Sequence, residues 1–156
     1  MKIGGIDPKT LPTEEVLVLP RGDQAIIFRA QGLPNLEGFQ KLCPEPIPPG
    51  KLTRDGFVPD LKDESYLAVL AQYTKRRMAY IMVHSLVPSQ IEWDTVKLDN
   101  PSTWTNWEDD LKNGGMSQME CNRVLNLVLE ANSLDEAKLK KAREVFLQGP
   151  PKDRPT

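Results

Sequence analysis

The chain has no surplus of positive charge: 20 Lys and Arg stand against 22 Asp and Glu, a formal net charge of −2. Phosphate neutralisation supplies most non-specific affinity for nucleic acid, so this balance argues against a nucleic-acid partner. A long apolar run is missing too. The longest, residues 79–87, is broken by His84 and Ser85 and falls well short of the ~20 residues that cross a bilayer. No membrane partner is therefore expected. The first residues lack the apolar centre of a signal peptide, which makes the cytoplasm the expected compartment. Cysteine is sparse: Cys43 and Cys121 stand alone, without pairing or metal-ligand spacing, and read as reduced thiols, with a single disulfide as the alternative. His84 is the only histidine. Four metal ligands drawn from one histidine and two scattered cysteines do not make a zinc site, so no metal and no cofactor is expected.

Catalytic groups are equally thin. A catalytic imidazole needs a nucleophile or carboxylate held beside it, and none recommends itself near His84, which reads as structural. The carboxylates Glu14/Glu15, Asp63/Glu64, Glu108/Asp109/Asp110 and Asp135/Glu136 fall mostly at helix starts or on outer helix faces, where they complement the dipole or keep the surface wet. Gly4-Gly5 lacks the surroundings of a phosphate loop. Arg21-Gly22-Asp23 reads as a turn rather than an adhesion signal. No catalytic residue is assigned, and the expected function is non-enzymatic.

What the chain does have is patterning. Its 156 residues, 39% hydrophobic and 27% charged, suit one soluble domain over residues 1–150. Residues 1–13 read as a flexible lead-in. Val16–Leu19 and Ala25–Ala30 form a β-hairpin across Pro20–Gln24, apolar on both faces. Such a hairpin is marginal alone and must pack on helices or add strands from a neighbour. A short helix follows over Asn35–Cys43. Six of the fourteen prolines then lie between residues 34 and 59, making 44–60 a proline-rich loop with a small hairpin at Asp55-Gly56.

Helical spacing predicts a long helix from Asp63 to about Val87, stopped by Pro88. Asn100-Pro101 opens another, carrying Trp104, Trp107 and Leu111 and ended by Asn113-Gly114-Gly115. Two further helices each begin with Ser-x-x-Glu, at Ser117–Glu120 and Ser133–Glu136, the signature of a capping box. The first places Cys121, Val124, Leu125 and Val128 on one stripe. The second, to Gln148, is expected to bury Leu134, Ala137, Ala142, Val145 and Phe146, with Lys138, Lys140, Lys141 and Arg143 on a solvated face. Residues 149–156 read as a disordered tail. The fold class is α+β, mainly α: an N-terminal β-hairpin followed by a helical bundle of about four to five helices.

The surface is thus the functional asset. Trp93, Trp104 and Trp107 read as core anchors first, though tryptophan is also rich in interface hot spots. They join Leu111, Val16, Val18 and Ile27 as candidate partner-binding residues. A helix-turn-helix reading of residues 114–132 is weak, because the second helix offers only Arg123 as a cation beside Gln118 and Asn122.

The run Leu11–Pro20, the hairpin strand Ile26–Ala30, the helix opener Asn35–Phe39 and the Trp-containing helical stretch from Ile91 to Leu147 together resemble a bacteriophage tail assembly chaperone, one of the small proteins encoded before the tape measure protein. The resemblance is a pattern of elements over most of the chain rather than an invariant motif. It implies a non-catalytic protein of the host cytoplasm that binds the phage tape measure protein, helps recruit the tail-tube protein and forms a homo-oligomer. It also implies a longer form made by ribosomal frameshifting, with Pro150-Pro151-Lys152 compatible with a slippery heptamer. The alternatives are a minor structural virion protein of tail, neck or capsid and, less favoured, a helix-turn-helix regulator.

Overall fold

A computed structural model describes residues 1–149. The tail expected over 149–156 and the Pro150-Pro151-Lys152 segment lie, Gly149 apart, outside the described residues. The fold is α+β and mainly α, an N-terminal antiparallel hairpin followed by five α-helices. In chain order these are β1 (Glu14–Arg21), β2 (Gln24–Gln31), α1 (Glu37–Leu42), β3 (Gly50–Thr53), β4 (Gly56–Pro59), α2 (Glu64–Ser85), α3 (Trp107–Asn113), α4 (Gln118–Ala131) and α5 (Glu136–Gln148). The chain forms two compact units. One comprises Met1–Gly32, Ser85–Gln90 and the chain from Asn122 onward, the other Leu33–His84 and Ile91–Cys121.

In the first unit the lead-in has local order: Ile3 bridges Ile6, and Asp7 caps a 3-10 turn at Pro8–Thr10. β1 pairs with β2 from Glu14↔Gln31 to Arg21↔Gln24, leaving a two-residue loop. Gly22 takes φ +58°, the positive value that such a tight hairpin loop demands at its first position. Alternation then divides the hairpin. Leu17, Leu19, Ile26, Phe28 and Ala30 lie on the covered face, Val16, Val18 and Ile27 on the exposed one. α4 adds the buried Val124, Leu127 and Val128.

Helix ends follow side-chain chemistry. Ser117 and Glu120 form the expected reciprocal capping box, each accepting or donating to the other's backbone or side chain at 3.1–3.2 Å. Gly115 (φ +101°) closes α3: its amide reaches the Lys112 carbonyl while that of Met116 reaches Leu111. Ser133 corrects expectation. It sits at φ +56° and ends α4, its amide donating to Glu130 and that of Leu134 to Leu129. The cap of α5 is instead Asp135, whose Oδ1 accepts from the Lys138 amide at 3.1 Å. A carboxylate two residues on outcompetes the serine, and the chain reversal after α4 claims Ser133 for a left-handed turn. A larger correction concerns α5 itself: none of its residues is buried, and Leu134, Val145 and Phe146 are exposed.

The second unit is built on aromatic packing. Phe39, Cys43, Ala79, Tyr80, Val83, Val96 and Trp104 form its buried cluster, with Tyr73, Trp93 and Trp107 packed against it. The Asn100-Pro101 start holds, Asn100 Oδ1 accepting from Ser102, but residues Pro101–Asn106 wind as a 3-10 helix before α3 begins. Asp63 caps α2 by accepting from the Tyr66 amide at 2.8 Å. The small hairpin β3–β4 turns at Arg54-Asp55, one residue earlier than Asp55-Gly56, and is exposed throughout.

Candidate partner-binding surface

A two-residue loop fixes which backbone groups of the hairpin point outward. Arg21 and Gln24 flank the loop as a hydrogen-bonded pair, so bonded pairs recur at Leu19↔Ile26, Leu17↔Phe28 and Glu15↔Ala30. The amides of Val16 and Val18 and the carbonyls of Val16, Val18 and Pro20 therefore face away from β2. Pro20 is tolerated inside the strand because its missing N–H falls on that outer edge. On the opposite edge Arg29 occupies the equivalent outward position. There the Ser89 hydroxyl takes both of its backbone groups, accepting from the amide and donating to the carbonyl at 2.7 Å each. Ser89 belongs to the 3-10 turn Val87–Ser89, so β2's edge is covered at this point by chain from the same unit. Nothing in the sequence marked Ser89, since its partner lies 60 residues away.

The exposed hairpin face carries Val16, Val18 and Ile27, each about half exposed, with Val18 directly opposite Ile27. Pro20 pairs with Ala25 beyond them and extends the apolar strip toward the loop. At the other end Arg29 Nη1 meets Glu14 Oε1 at 3.3 Å, a solvent-facing rim pair of little energetic weight. The structure thus gathers three of the seven candidate residues into one contiguous surface.

The other four belong to the second unit and lie differently. Trp104 is fully buried, its Nε1 donating to the Leu98 carbonyl at 3.1 Å, and Leu111 is buried as well. Neither has surface to give a partner, which corrects their place among the candidate contacts: the three-residue spacing of Trp104 and Trp107 serves packing. Trp93 and Trp107 are partly buried at the edge of that core.

His84 lies in the same aromatic group. Its ring stacks on Tyr80 with centroids 3.9 Å apart and meets Trp104 edge-on at 5.7 Å. Nδ1 lies 3.0 Å from the Tyr80 carbonyl, which requires that nitrogen to carry the proton. Burial lowers its pKa below the ordinary value, and the bond to Tyr80 only partly offsets this. The imidazole is therefore held neutral among rings. Burial raises the pKa of both thiols. Arg76 opposes this at Cys43, while Glu108 adds to it at Cys121. Both cysteines are free and buried. Among the described residues no group of three or more His, Cys, Asp or Glu side chains is arranged to hold a metal, and no helix is long and apolar enough to cross a membrane.

One buried carboxylate organises the second unit. Asp110 Oδ2 accepts from the amides of Thr95 (2.9 Å) and Val96 (3.2 Å), and Oδ1 accepts from the Thr95 hydroxyl at 2.6 Å. Burial pushes its pKa upward, but these donors outweigh that and hold it below the ordinary aspartate value. Asp110 thereby ties the link 94–96 to α3. It is a structural group that sequence reading placed only among helix-surface acids.

Comparison with protein-family models, with curated proteins and with solved structures finds no match to this chain.

Proposed function

We propose that the chain is a non-catalytic assembly chaperone of the bacteriophage tail type, acting in the host cytoplasm by lending apolar surface to the tape measure protein and helping to recruit tail-tube subunits. The exposed hairpin face of Val16, Val18 and Ile27 carries this reading. A two-stranded hairpin that covers one apolar face and leaves a second exposed gains by burying it against an amphipathic segment. Each of the three side chains is about half exposed, so complete burial contributes about 1 kcal/mol apiece, or roughly 3 kcal/mol together. That gain is one part of a larger contact, because association itself costs more than this strip alone returns. In the second unit His84 is neutral among aromatic rings and Asp110 is consumed by three donors.

The test is co-expression with the tape measure protein of the same phage, followed by purification of mature particles. Co-purification with the helical protein and absence from particles is the expected outcome. Stoichiometric copies in particles would make the chain a permanent virion component instead.

A further inference from the structure

Among the described residues helix α5, like the β3–β4 hairpin, buries none of its side chains. It is 13 residues long. Helices of this length are marginal in water without a packed face. Leu139, Ala142 and Phe146, spaced three and four apart, form a narrow stripe, and exposure along it rises from 47% at Leu139 to 82% at Phe146. Such spacing is the seam of a two-helix coil. The charges beside the seam say which helix fits it. Glu136 and Arg143, seven residues apart, flank the stripe on one side, while Lys138 and Val145 flank it on the other. Lys138 is already committed, its Nζ lying 3.2 Å from Glu15 and 3.4 Å from Glu130. Among the described residues Glu136 and Arg143 form no ion pair.

We infer that the α5 stripe pairs with the α5 of a second copy of this chain, antiparallel, with Leu139 over Ala142. In that register Glu136 of each copy faces Arg143 of the other, giving two equivalent ion pairs, and Phe146 covers the first turn of the opposite helix. A parallel pair fails on the same charges, because it sets Arg143 beside Lys138 of its neighbour. Short helices bury less than a standard interface, so the dimer is weak and concentration-dependent. This surface is separate from the hairpin face and does not depend on the chaperone reading.

Sedimentation equilibrium of the full chain over a wide concentration range tests it. The wild type is expected to shift from monomer to dimer as concentration rises. Arg143→Glu and Glu136→Arg each replace two attractions by two repulsions and raise the dissociation constant about tenfold or more. The double exchange Glu136→Arg/Arg143→Glu recreates both pairs and restores association, and both positions are exposed enough to leave folding, checked by circular dichroism, intact. A wild type that stays monomeric at the highest concentration, or single variants as strong as wild type, or a double exchange as weak as the singles, overturns the assignment.

Discussion

Removing the carboxylate of Asp110 probes the second unit where its wiring is densest. Asp110→Ala leaves the Thr95 and Val96 amides and the Thr95 hydroxyl without their acceptor. Bonds to a charged acceptor contribute roughly 1.5–3 kcal/mol each, but they are not additive, and freed donors here regain some water. A total loss of about 3 kcal/mol follows, a large share of the ~5–15 kcal/mol that holds a domain. Asp110→Asn is milder. Its carbonyl oxygen can take the Oδ2 place and keep both amides, while its NH2 donates to the Thr95 hydroxyl. Only the charge is lost, at about 1 kcal/mol. Urea unfolding followed by tryptophan fluorescence reads this directly, since Trp93, Trp104 and Trp107 all belong to the same unit. Acid adds a second readout. A carboxyl whose folded pKa is depressed contributes stability above its unfolded value, near pH 4, and loses it as pH falls through the folded value. Wild type should therefore weaken below about pH 4 more steeply than Asp110→Asn. Equal losses for Ala and Asn, or identical acid limbs, would refute the reasoning.

His84 gives the opposite half of the pH scale. Its folded pKa is lowered, so the neutral ring's contribution is complete above the unfolded value of about 6.5 and is lost as pH falls through the folded value; His84→Phe should flatten the fall of thermal stability below about pH 6.5. Ser133→Gly should stabilise the chain by about 0.5–1 kcal/mol, because Ser133 holds a left-handed φ of +56° that costs glycine nothing. A fall in midpoint on chemical unfolding of Ser133→Gly would contradict the assignment of that turn.

Much of this architecture was legible in local chemistry. The hairpin followed from apolar runs around a glycine turn, and Asp63, Asn100, Gly115 and Ser117 ended or started helices as their side chains dictate. Legibility failed where two local signals competed or where the answer lay far along the chain. Ser133 read as the cap of α5, but the reversal after α4 claims it for a left-handed turn and Asp135 takes the cap instead. The Pro101–Asn106 segment tightened to 3-10 geometry, with Trp104 fully buried and bonded to Leu98, a tertiary demand invisible in spacing. For α5, amphipathicity announced an apolar stripe but not whether this chain would cover it. The candidate surface divided in the same way. Alternation identified the face shared by Val16, Val18 and Ile27, whereas helical periodicity alone did not distinguish an interior Trp104 or Leu111 from an interface residue. Ser89, which covers the edge of β2, carried no sequence signal at all.

The most direct measurement is affinity for the tape measure protein after Val18→Lys. This change sets a charge in the middle of the outer hairpin strip, opposite Ile27, without touching a buried group. Unfolding midpoints should stay within about 0.5 kcal/mol of wild type, while binding, read by pull-down and calorimetry, should weaken at least about tenfold. Undiminished binding by a correctly folded Val18→Lys protein would show that the strip is not the holding surface.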